Sequence, residues 1–398
     1  MEQTLQYILI DSARNIRREG WQIDSSVVAD YDGPPWCVTK YMLHGGKQEG
    51  VDALEIDNGE MTVTIISTRG MNVLQACTAE TTLGWQSPVR EVVHPAYIQE
   101  ESRGGLGWLE GFNELVARCG LESTGAPGED TIRDNQGNEA TVTLPLHGRI
   151  SNTPASRVWI SVDMGEPYKI TVSGELYDTR MFGPNYKLQA NLSMIPGEAA
   201  FTINDNVTNI GGEAAELELL YHCNFGGPLL GEGSRLVAPV QKMSPRDEVA
   251  LEGLENWSTY GPPQPGFVEQ CYYFILGTDK NGEAPVALVS PQGKLAATLR
   301  FDTTALPAFT IWKNTAATAD GYVTGLEPGT DYPNHRGFER EKGRVVQLDS
   351  GDSYATKMTI GLTTGGGQVA SLCEEIEQIT AGQDVEICTA IDPDLSPA

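Results

Sequence analysis

Short runs of alternating apolar and polar residues, separated by glycine and proline, constrain the fold of this chain more than any other feature. Val, Ile, Thr and Tyr dominate these runs, as in antiparallel strands whose side chains alternate between two faces. The 398-residue chain carries 44 Gly and 23 Pro, many of them in the intervening turns. The clearest runs cover residues 61–67, 168–176, 187–195, 201–208, 216–221, 270–276, 295–301, 309–313, 344–348 and 354–362. They predict a mainly β protein, built as a large antiparallel sandwich or barrel.

The strand pattern shows no internal repeat and no linker-like change of composition. We therefore expect one β-sandwich domain over residues 51–363. Residues 1–50 are expected to form an N-terminal extension packed on that core, and residues 364–398 a C-terminal extension.

Helical periodicity is scarce and occurs near the chain ends. Apolar residues fall three or four apart between Val369 and Ile379, which predicts a helix. Leu5–Arg18 has a weaker pattern that either a helix or an edge strand would satisfy. The Gly-rich segment 99–134 is too irregular for a strand ladder, and long loops of this kind are usually functional or cover a site.

The charge balance argues against polyanionic partners. There are 54 Asp and Glu residues against 27 Lys and Arg, which leaves a formal charge of −27. Nucleic acid and anionic membrane surfaces attract basic clusters, so neither is an expected partner. No run approaches the ~20 apolar residues of a bilayer span. Nothing at the N-terminus resembles an export signal, so a cytoplasmic location is expected, and a homo-oligomer is left open.

Two of the five histidines lie in settings that suit a site. His147 follows an apolar strand and precedes Gly148, while His222 ends a strand on which Glu218 shares its face. Either residue alone is more often a structural, hydrogen-bonded histidine than a catalyst. The same structural interpretation holds for the remaining three, which are His44, His94 and His335.

Two charged residues stand at the ends of strands. Glu327 precedes Pro328, which stops the ladder and holds the backbone there. Arg69 follows an otherwise apolar strand and needs a carboxylate or a polar ligand as partner. An exposed turn residue for Glu327 and a simple salt bridge for Arg69 are the alternatives.

Motif inspection removes several classes of enzyme. The chain has no Walker A loop, no dinucleotide-binding glycine motif, no nucleophile elbow and no His-Glu-x-x-His helix. The seven cysteines are scattered and lack the spacing of metal ligands, so we expect them to be reduced thiols. No cofactor and no transition metal are therefore expected.

The order of these residues resembles the aldose 1-epimerase, or galactose mutarotase, superfamily. The matching segments are STRGMNV around Arg69, LPLHGRIS around His147, LLYHCNFGG around His222, and FTIWKN with GYVTGLEPGT around Glu327. Together with GGLGWLEGFNELVARCGL, they are most similar to a divergent branch of unknown function. The resemblance covers residues 50–363.

The resemblance implies an antiparallel β-supersandwich that interconverts the α and β anomers of a free sugar. Carried over by motif, Glu327 is the general base toward the anomeric hydroxyl and His222 the general acid toward the ring oxygen. Arg69 and His147 would bind sugar hydroxyls or polarise the ring oxygen. The base and the acid are expected to act across the sugar, with Glu327 deprotonated and His222 protonated beside Glu218.

Other residues complete the expected sugar site. Trp108, Trp312 and Phe309 could supply an apolar platform, although ordinary core packing is the alternative for each. Arg149 has no counterpart in the superfamily motif and could recognise an acidic or substituted sugar. The superfamily's sugar-binding Asp finds no convincing match at Asp247 or Asp302.

Three functions fit these observations. The first is an aldose 1-epimerase-like isomerase of a free sugar or sugar derivative. The second is a non-catalytic carbohydrate-binding or sensing protein on the same fold. The third is a different sugar isomerisation or elimination in the same pocket, because a fold alone does not select the reaction.

Overall fold

The computed structural model describes residues 4–397 and contains two large, mainly antiparallel β-sheets. The first half of the chain forms strands Thr4–Asp11 (β1), Ile16–Arg17 (β2), Trp21–Asp24 (β3), Cys37–Met42 (β4), Asp52–Asp57 (β5), Thr62–Ile66 (β6), Asn72–Cys77 (β7), Thr82–Leu83 (β8), Val116–Leu121 (β9), Gly128–Arg133 (β10), Glu139–Leu144 (β11), Arg157–Asp163 (β12) and Ile170–Asp178 (β13). The second half forms Tyr186–Met194 (β14), Ala200–Asn209 (β15), Ala215–Phe225 (β16), Arg235–Val237 (β17), Val240–Pro245 (β18), Gln270–Leu276 (β19), Glu283–Val289 (β20), Leu295–Asp302 (β21), Ala308–Thr315 (β22), Tyr322–Gly329 (β23), Val346–Leu348 (β24), Ser353–Thr364 (β25) and Glu386–Ile387 (β26).

Helices are few and short in the described part of the chain. The α-helical segments are Ser102–Gly105 (α1), Glu248–Glu252 (α2), Arg336–Glu341 (α3) and Gly366–Ile379 (α4). Within residues 4–397, no helix is both long enough and apolar enough to cross a membrane.

The sheets differ in size and in strand order. The ten-stranded sheet runs β17-β20-β21-β25-β15-β14-β13-β12-β1-β2. The fourteen-stranded sheet runs β26-β18-β19-β22-β23-β16-β9-β7-β6-β5-β4-β3, with β24 paired to β16 and β8 paired to β7. A separate hairpin joins β10 and β11. This arrangement confirms the predicted mainly β sandwich.

The main core lies between the two sheets, and strand alternation decides which residues enter it. On β16, Tyr221 and Cys223 belong to this core, and so do Ile311 of β22 and Leu326 of β23. The residues between them on these strands therefore point to the opposite face of the fourteen-stranded sheet. That face carries His222.

Both chain ends join the sheets. The Leu5–Arg18 pattern resolves into β1 and β2 at one edge of the ten-stranded sheet, because β1 pairs with β12. The predicted C-terminal helix is confirmed as α4, whose Val369, Cys373 and Ile376 pack on the ten-stranded sheet. The domain boundaries at residues 51 and 363 stay a prediction.

The expectation that segment 99–134 holds no ladder strand is wrong twice, at β10, which pairs with β11, and at β9. This strand lies between β16 and β7, and all six of its residues are buried. A strand covered on both faces needs no polar alternation, so its sequence lacks the pattern that identifies half-exposed strands.

Candidate active site

His222 and Glu327 project from the same face of the fourteen-stranded sheet. They lie on β16 and β23, which pair antiparallel with Cys223 opposite Leu326. His222 is therefore beside Glu327, and its Nε2 lies 3.2 Å from Glu327 Oε1. A Cβ added at Gly325 would lie 2.5 Å from the same oxygen, so glycine keeps this space open.

The direct contact corrects the expectation that the two groups act from opposite sides of a sugar. Side chains directly opposite each other on paired strands have Cβ atoms about 5 Å apart, which leaves no room for a pyranose between them. Any molecule that meets both groups must approach from above the sheet face and contact them on one side. The pairing of β16 with β23 is the physical reason.

Burial also reverses the charges expected for this pair. Glu327 is 2% exposed, and within residues 4–397 no hydrogen-bond donor of good geometry reaches its Oε1. Burial raises the pKa of Glu327 to about 8, and the charge of Glu269 adds to the rise. Burial lowers the pKa of His222 well below its usual value, because it disfavours the charged imidazolium. Near neutral pH the pair thus holds one proton, on Glu327.

The expected help from Glu218 is absent. Glu218 shares the sheet face with His222, but its Oε2 accepts the backbone N–H of Thr124 at 3.1 Å. Burial raises the pKa of Glu218 to about 7, so it is a weak source of negative charge. It does not hold His222 in the protonated form.

Asn224 determines the tautomer of His222. The Asn224 Nδ2 donates to the carbonyls of Glu114 and His222, so its Oδ1 is free to accept. That oxygen lies 2.7 Å from His222 Nδ1, which therefore carries the proton. In the neutral ring, the unprotonated Nε2 faces Glu327.

His147 completes the polar centre. Its ring centroid lies 5.3 Å from that of His222, and its Nδ1 donates to the carbonyl of Thr124 at 2.6 Å. Burial lowers the pKa of His147 to about 4, so the ring is neutral and its Nε2 is an acceptor. His147 adopts φ of 57° and Gly148 follows at 67°, in a turn where the Gly148 N–H donates to the Pro145 carbonyl at 3.2 Å.

Aromatic rings surround the two histidines. The ring centroids of Phe112, Trp312 and Trp108 lie 5.0, 5.4 and 5.8 Å from that of His222. Trp108 also lies 4.6 Å from the His147 ring. Trp108 and Phe112 belong to the Gly-rich segment 99–134, so part of this segment covers the site. Among the described residues, Trp108 Nε1 is buried and has no acceptor.

Phe309 does not join this apolar surface. It packs in the main core, with ring centroids 5.7 Å from Phe274 and 5.9 Å from Phe301. The suggested platform role for Phe309 is therefore wrong, because alternation along β22 places residues 309 and 312 on opposite faces.

Arg69 lies beneath the covering segment. Its Nη2 forms a salt bridge of 2.8 Å with Glu114, and both side chains are 1% exposed. Its Nη1 donates to the carbonyl of Gly111 at 2.6 Å. The salt bridge left open by the sequence is present, and the direct binding of a sugar by Arg69 stays a prediction.

Arg149 is not placed beside His222 and Glu327. Its guanidinium donates to Glu100 and Glu101 at 3.3 and 3.0 Å and is part-exposed. It lines a groove of about 950 Å³ together with Arg180, Arg336 and Arg340. None of His222, Glu327 or Trp312 lines this groove. Recognition of the substrate by Arg149 stays a prediction that this placement does not favour.

Glu269 is a site residue that sequence reasoning missed. Its Oε2 accepts the Trp312 Nε1–H at 2.7 Å, and its Oε1 lies 3.3 Å from Arg246 Nη2. Its charge also raises the pKa of His147 and of Glu327, which places it near both. A search for any acidic residue at a strand start, rather than for Asp alone, would have found it just before β19.

The two aspartates considered earlier have other roles. Asp247 caps α2 by accepting the backbone N–H of Ala250, and Asp302 accepts from Thr304 in an exposed turn. No group of three or more His, Cys, Asp or Glu side chains in residues 4–397 is placed to hold a metal ion. The side chains that meet at the site are the carboxyl group of Glu327 and the imidazoles of His222 and His147.

Comparisons with known proteins agree with this fold. A crystal structure from Klebsiella pneumoniae subsp. pneumoniae, described as a "putative aldose 1-epimerase", is 36% identical over 97% of this chain and 98% of that chain, with a TM-score of 0.90. A galactose mutarotase-like protein from Clostridium acetobutylicum is 13% identical over 82% and 98%, with a TM-score of 0.56. Galactose 1-epimerase from Lactobacillus acidophilus is 12% identical over 82% and 99%, with a TM-score of 0.54.

The fold places this protein among the galactose mutarotase-like β-sandwich proteins. The chain belongs to the DUF4432 family, a domain of unknown function, whose family model matches residues 48–362. No curated protein matches the chain.

Proposed function

We propose that this protein is an aldose 1-epimerase-like enzyme that interconverts the anomers of a free sugar or a close derivative. The contact of 3.2 Å between His222 Nε2 and Glu327 Oε1 carries the proposal. It joins an acid and a base of suitable chemistry around one proton. The name given to the Klebsiella relative supports the same reaction class.

Mutarotation requires one proton to leave the anomeric hydroxyl and one to reach the ring oxygen. As the carboxylate of Glu327 takes the hydroxyl proton, the imidazolium of His222 protonates the ring oxygen, and the bond between C1 and the ring oxygen breaks. Rotation about the C1–C2 bond exposes the other face of the aldehyde, and the reverse steps close the ring. Each well-placed group contributes ~10²–10⁴-fold to such a reaction.

The one-proton state of the pair suits both halves of this cycle. A carboxylate with an imidazolium and a protonated carboxyl with a neutral imidazole contain the same number of protons. At rest the pair consists of a protonated Glu327 and a neutral His222, which is also its state after ring opening. Hydrogen bonds from sugar hydroxyls to Glu327 would favour the charged arrangement in the bound state, because they stabilise a carboxylate.

The surrounding groups would orient the sugar. His147 Nε2 is an acceptor for a hydroxyl, and Glu269 accepts at the edge of the site beside Trp312. Trp108 and Trp312 offer apolar surface of the kind that pyranose C–H faces meet, and the Trp108 N–H, which has no acceptor among the described residues, is a donor for a hydroxyl. The substrate-binding roles of these residues are part of the proposal.

Polarimetry on freshly dissolved single anomers tests the proposal. The parent should accelerate mutarotation of at least one sugar in a panel of aldoses and uronic acids. Glu327→Gln keeps the size of the side chain and removes the base, so kcat/KM should fall by ~10²–10⁴-fold. Glu248→Gln, on the surface helix α2, is the matched control and should retain the parental rate. A Glu327→Gln protein as fast as the parent would remove Glu327 from the mechanism.

A non-catalytic sugar-binding protein is the second candidate. The observation that favours it is the close packing of Phe112, Trp108 and Trp312 around His222, which narrows access to the pair. A sugar would then raise the melting temperature without accelerating anomer exchange. The same sugar panel, measured by thermal melting and by polarimetry, separates the two functions.

A further inference from the structure

Two further buried carboxyl groups, those of Glu218 and Asp331, have no role in the mechanism above. Glu218 on β16 and Asp331, two residues beyond β23, are each 1% exposed. Glu218 Oε2 accepts the Thr124 backbone N–H at 3.1 Å, and Asp331 Oδ1 accepts the Thr124 hydroxyl at 3.0 Å. Within residues 4–397, no donor reaches the remaining oxygen of either carboxyl, Glu218 Oε1 or Asp331 Oδ2.

The two carboxyls are neighbours, because one accepts the Thr124 N–H and the other accepts the hydroxyl of the same residue. Two adjacent carboxylates cannot both ionise at low cost in a buried site, so one proton between them is the stable arrangement. The other ionisable groups that face them are Arg336 and Glu339 on α3, Arg344 beyond that helix, and Tyr354 on β25. Arg336 Nη2 is bound to Glu216 and Arg344 is bound to Glu339. The charge of Arg336 opposes the rise in the pKa of Glu218, but burial outweighs it.

Thr124 connects this carboxyl pair to His147. Its carbonyl accepts the His147 Nδ1–H at 2.6 Å, while its N–H and hydroxyl are held by the two carboxyls. The backbone is joined as well, because the His147 N–H donates to the Gly125 carbonyl at 3.2 Å and its carbonyl accepts from Gly120 at 3.0 Å. The direction of the imidazole therefore depends on where Thr124 is held.

We propose that Glu218 and Asp331 share one proton and act, through Thr124, as positioning residues for His147. Loss of that proton places two like charges side by side, displaces Thr124 and weakens the hold on His147. Burial raises the pKa of Glu218 to about 7 and the pKa of Asp331 above its usual range, in agreement with a proton retained at neutral pH. A catalytic consequence rests on the proposed function, whereas the positioning itself does not.

Histidine-selective ¹⁵N NMR tests the positioning without any sugar, and the chain has five histidines to assign. The NMR parent is the Glu327→Gln protein, because Glu327 itself has a pKa of about 8 and would titrate in the same range. In this NMR parent, the His147 ring signals should report the Nδ1–H tautomer below about pH 7 and should shift and broaden as the carboxyl pair loses its proton by about pH 9. Asp331→Asn keeps an acceptor for Thr124 and removes the shared proton, so this transition should disappear. Glu218→Gln should also abolish the His147 transition. It replaces Asp331→Asn as the test if Asp331→Asn folds poorly.

Glu248→Gln is the matched control, because Glu248 is an exposed acidic side chain on the surface helix α2. Its His147 transition should equal that of the parent. A parent without a transition between about pH 6 and about pH 9, or an Asp331→Asn protein that retains it, would overturn the proposal. An absent mutarotase activity with the transition intact would count against the proposed function alone.

Discussion

At the scale of single residues, burial decides the protonation of the site. His222, His147 and Glu327 carry the residue types expected for acid–base chemistry, but each is nearly covered by neighbouring side chains. Burial disfavours every charged form, so it raises the pKa of the carboxyl and lowers the pKa of both imidazoles. The side chains of Glu327, His222 and His147 are therefore uncharged near neutral pH.

The pH dependence of catalysis follows from this neutral state. The pKa of Glu327 is raised to about 8, so the pair keeps its proton below that pH and loses it above. Without the proton nothing can protonate the ring oxygen, and kcat/KM should fall as pH rises through about 8. Polarimetry across pH, with the buffer rate subtracted, measures this limb. A rate that increases steadily above that pH would contradict the single-proton pair.

Asn224 offers a second prediction at this scale. Asn224→Ala removes the acceptor of the His222 Nδ1–H, so the ring can turn or change tautomer, and kcat should fall by roughly tenfold or more. Asn224→Asp keeps an acceptor and adds a negative charge, which should raise the pKa of His222. The fall of the rate at low pH, where His222 and Glu327 are both protonated, should therefore begin at a higher pH. Equal pH profiles for both variants and the parent would show that Asn224 does not set the tautomer.

At the scale of elements, the segment between β8 and β9 forms the cover of the site. Phe112 and Trp108 contact the histidines, and the segment is held from below by Arg69 through Gly111 and Glu114. A buried ion pair that joins a loop to a strand end fixes the position of the loop more than it adds to stability. Arg69 therefore governs the shape of the site even without touching a sugar.

Arg69→Met should be strongly destabilising, because it leaves the buried Glu114 carboxylate without its cation. The expected loss in the free energy of unfolding is about 3–5 kcal/mol, measured by urea titration. The double variant Arg69→Met with Glu114→Gln removes the uncompensated charge and should recover part of that loss. If the double variant is less stable than the single variant, charge burial is not the cause.

At the scale of the whole molecule, buried acids make stability depend on pH. The folded state raises the pKa of Glu327 to about 8 and of Glu218 to about 7, from a usual value of 4.5. The folded protein therefore binds these protons more tightly than the unfolded chain, and this contribution to stability is lost as pH rises from about 4.5 to about 8. The −27 net charge adds self-repulsion over the same range.

Glu327→Gln should consequently be more stable than the parent at alkaline pH. The expected gain in the free energy of unfolding at about pH 8.5 is on the order of 1–3 kcal/mol, and it should shrink toward zero near about pH 5.5. Urea unfolding at both pH values measures it. An equal gain at both pH values would mean that packing, not ionisation, distinguishes the variant.

Local pattern alone determined most of the architecture. The alternating strands and the helix around Val369 were readable because they are short-range features. His222 and Glu327 were singled out by the resemblance to the aldose 1-epimerase superfamily, and the structure places them 3.2 Å apart. Strand β9 was not recognisable from the sequence, because a strand buried on both faces lacks the alternation of apolar and polar residues.

Only the tertiary structure decided how the site is built. It placed His222 beside Glu327 instead of across a sugar, brought Glu269 to the edge, and kept Arg149 away. Strand pairing between distant segments sets these neighbours, and burial between the packed elements sets their protonation. The spacing of residues along the chain encodes neither which distant strands pair nor how deeply a side chain is buried.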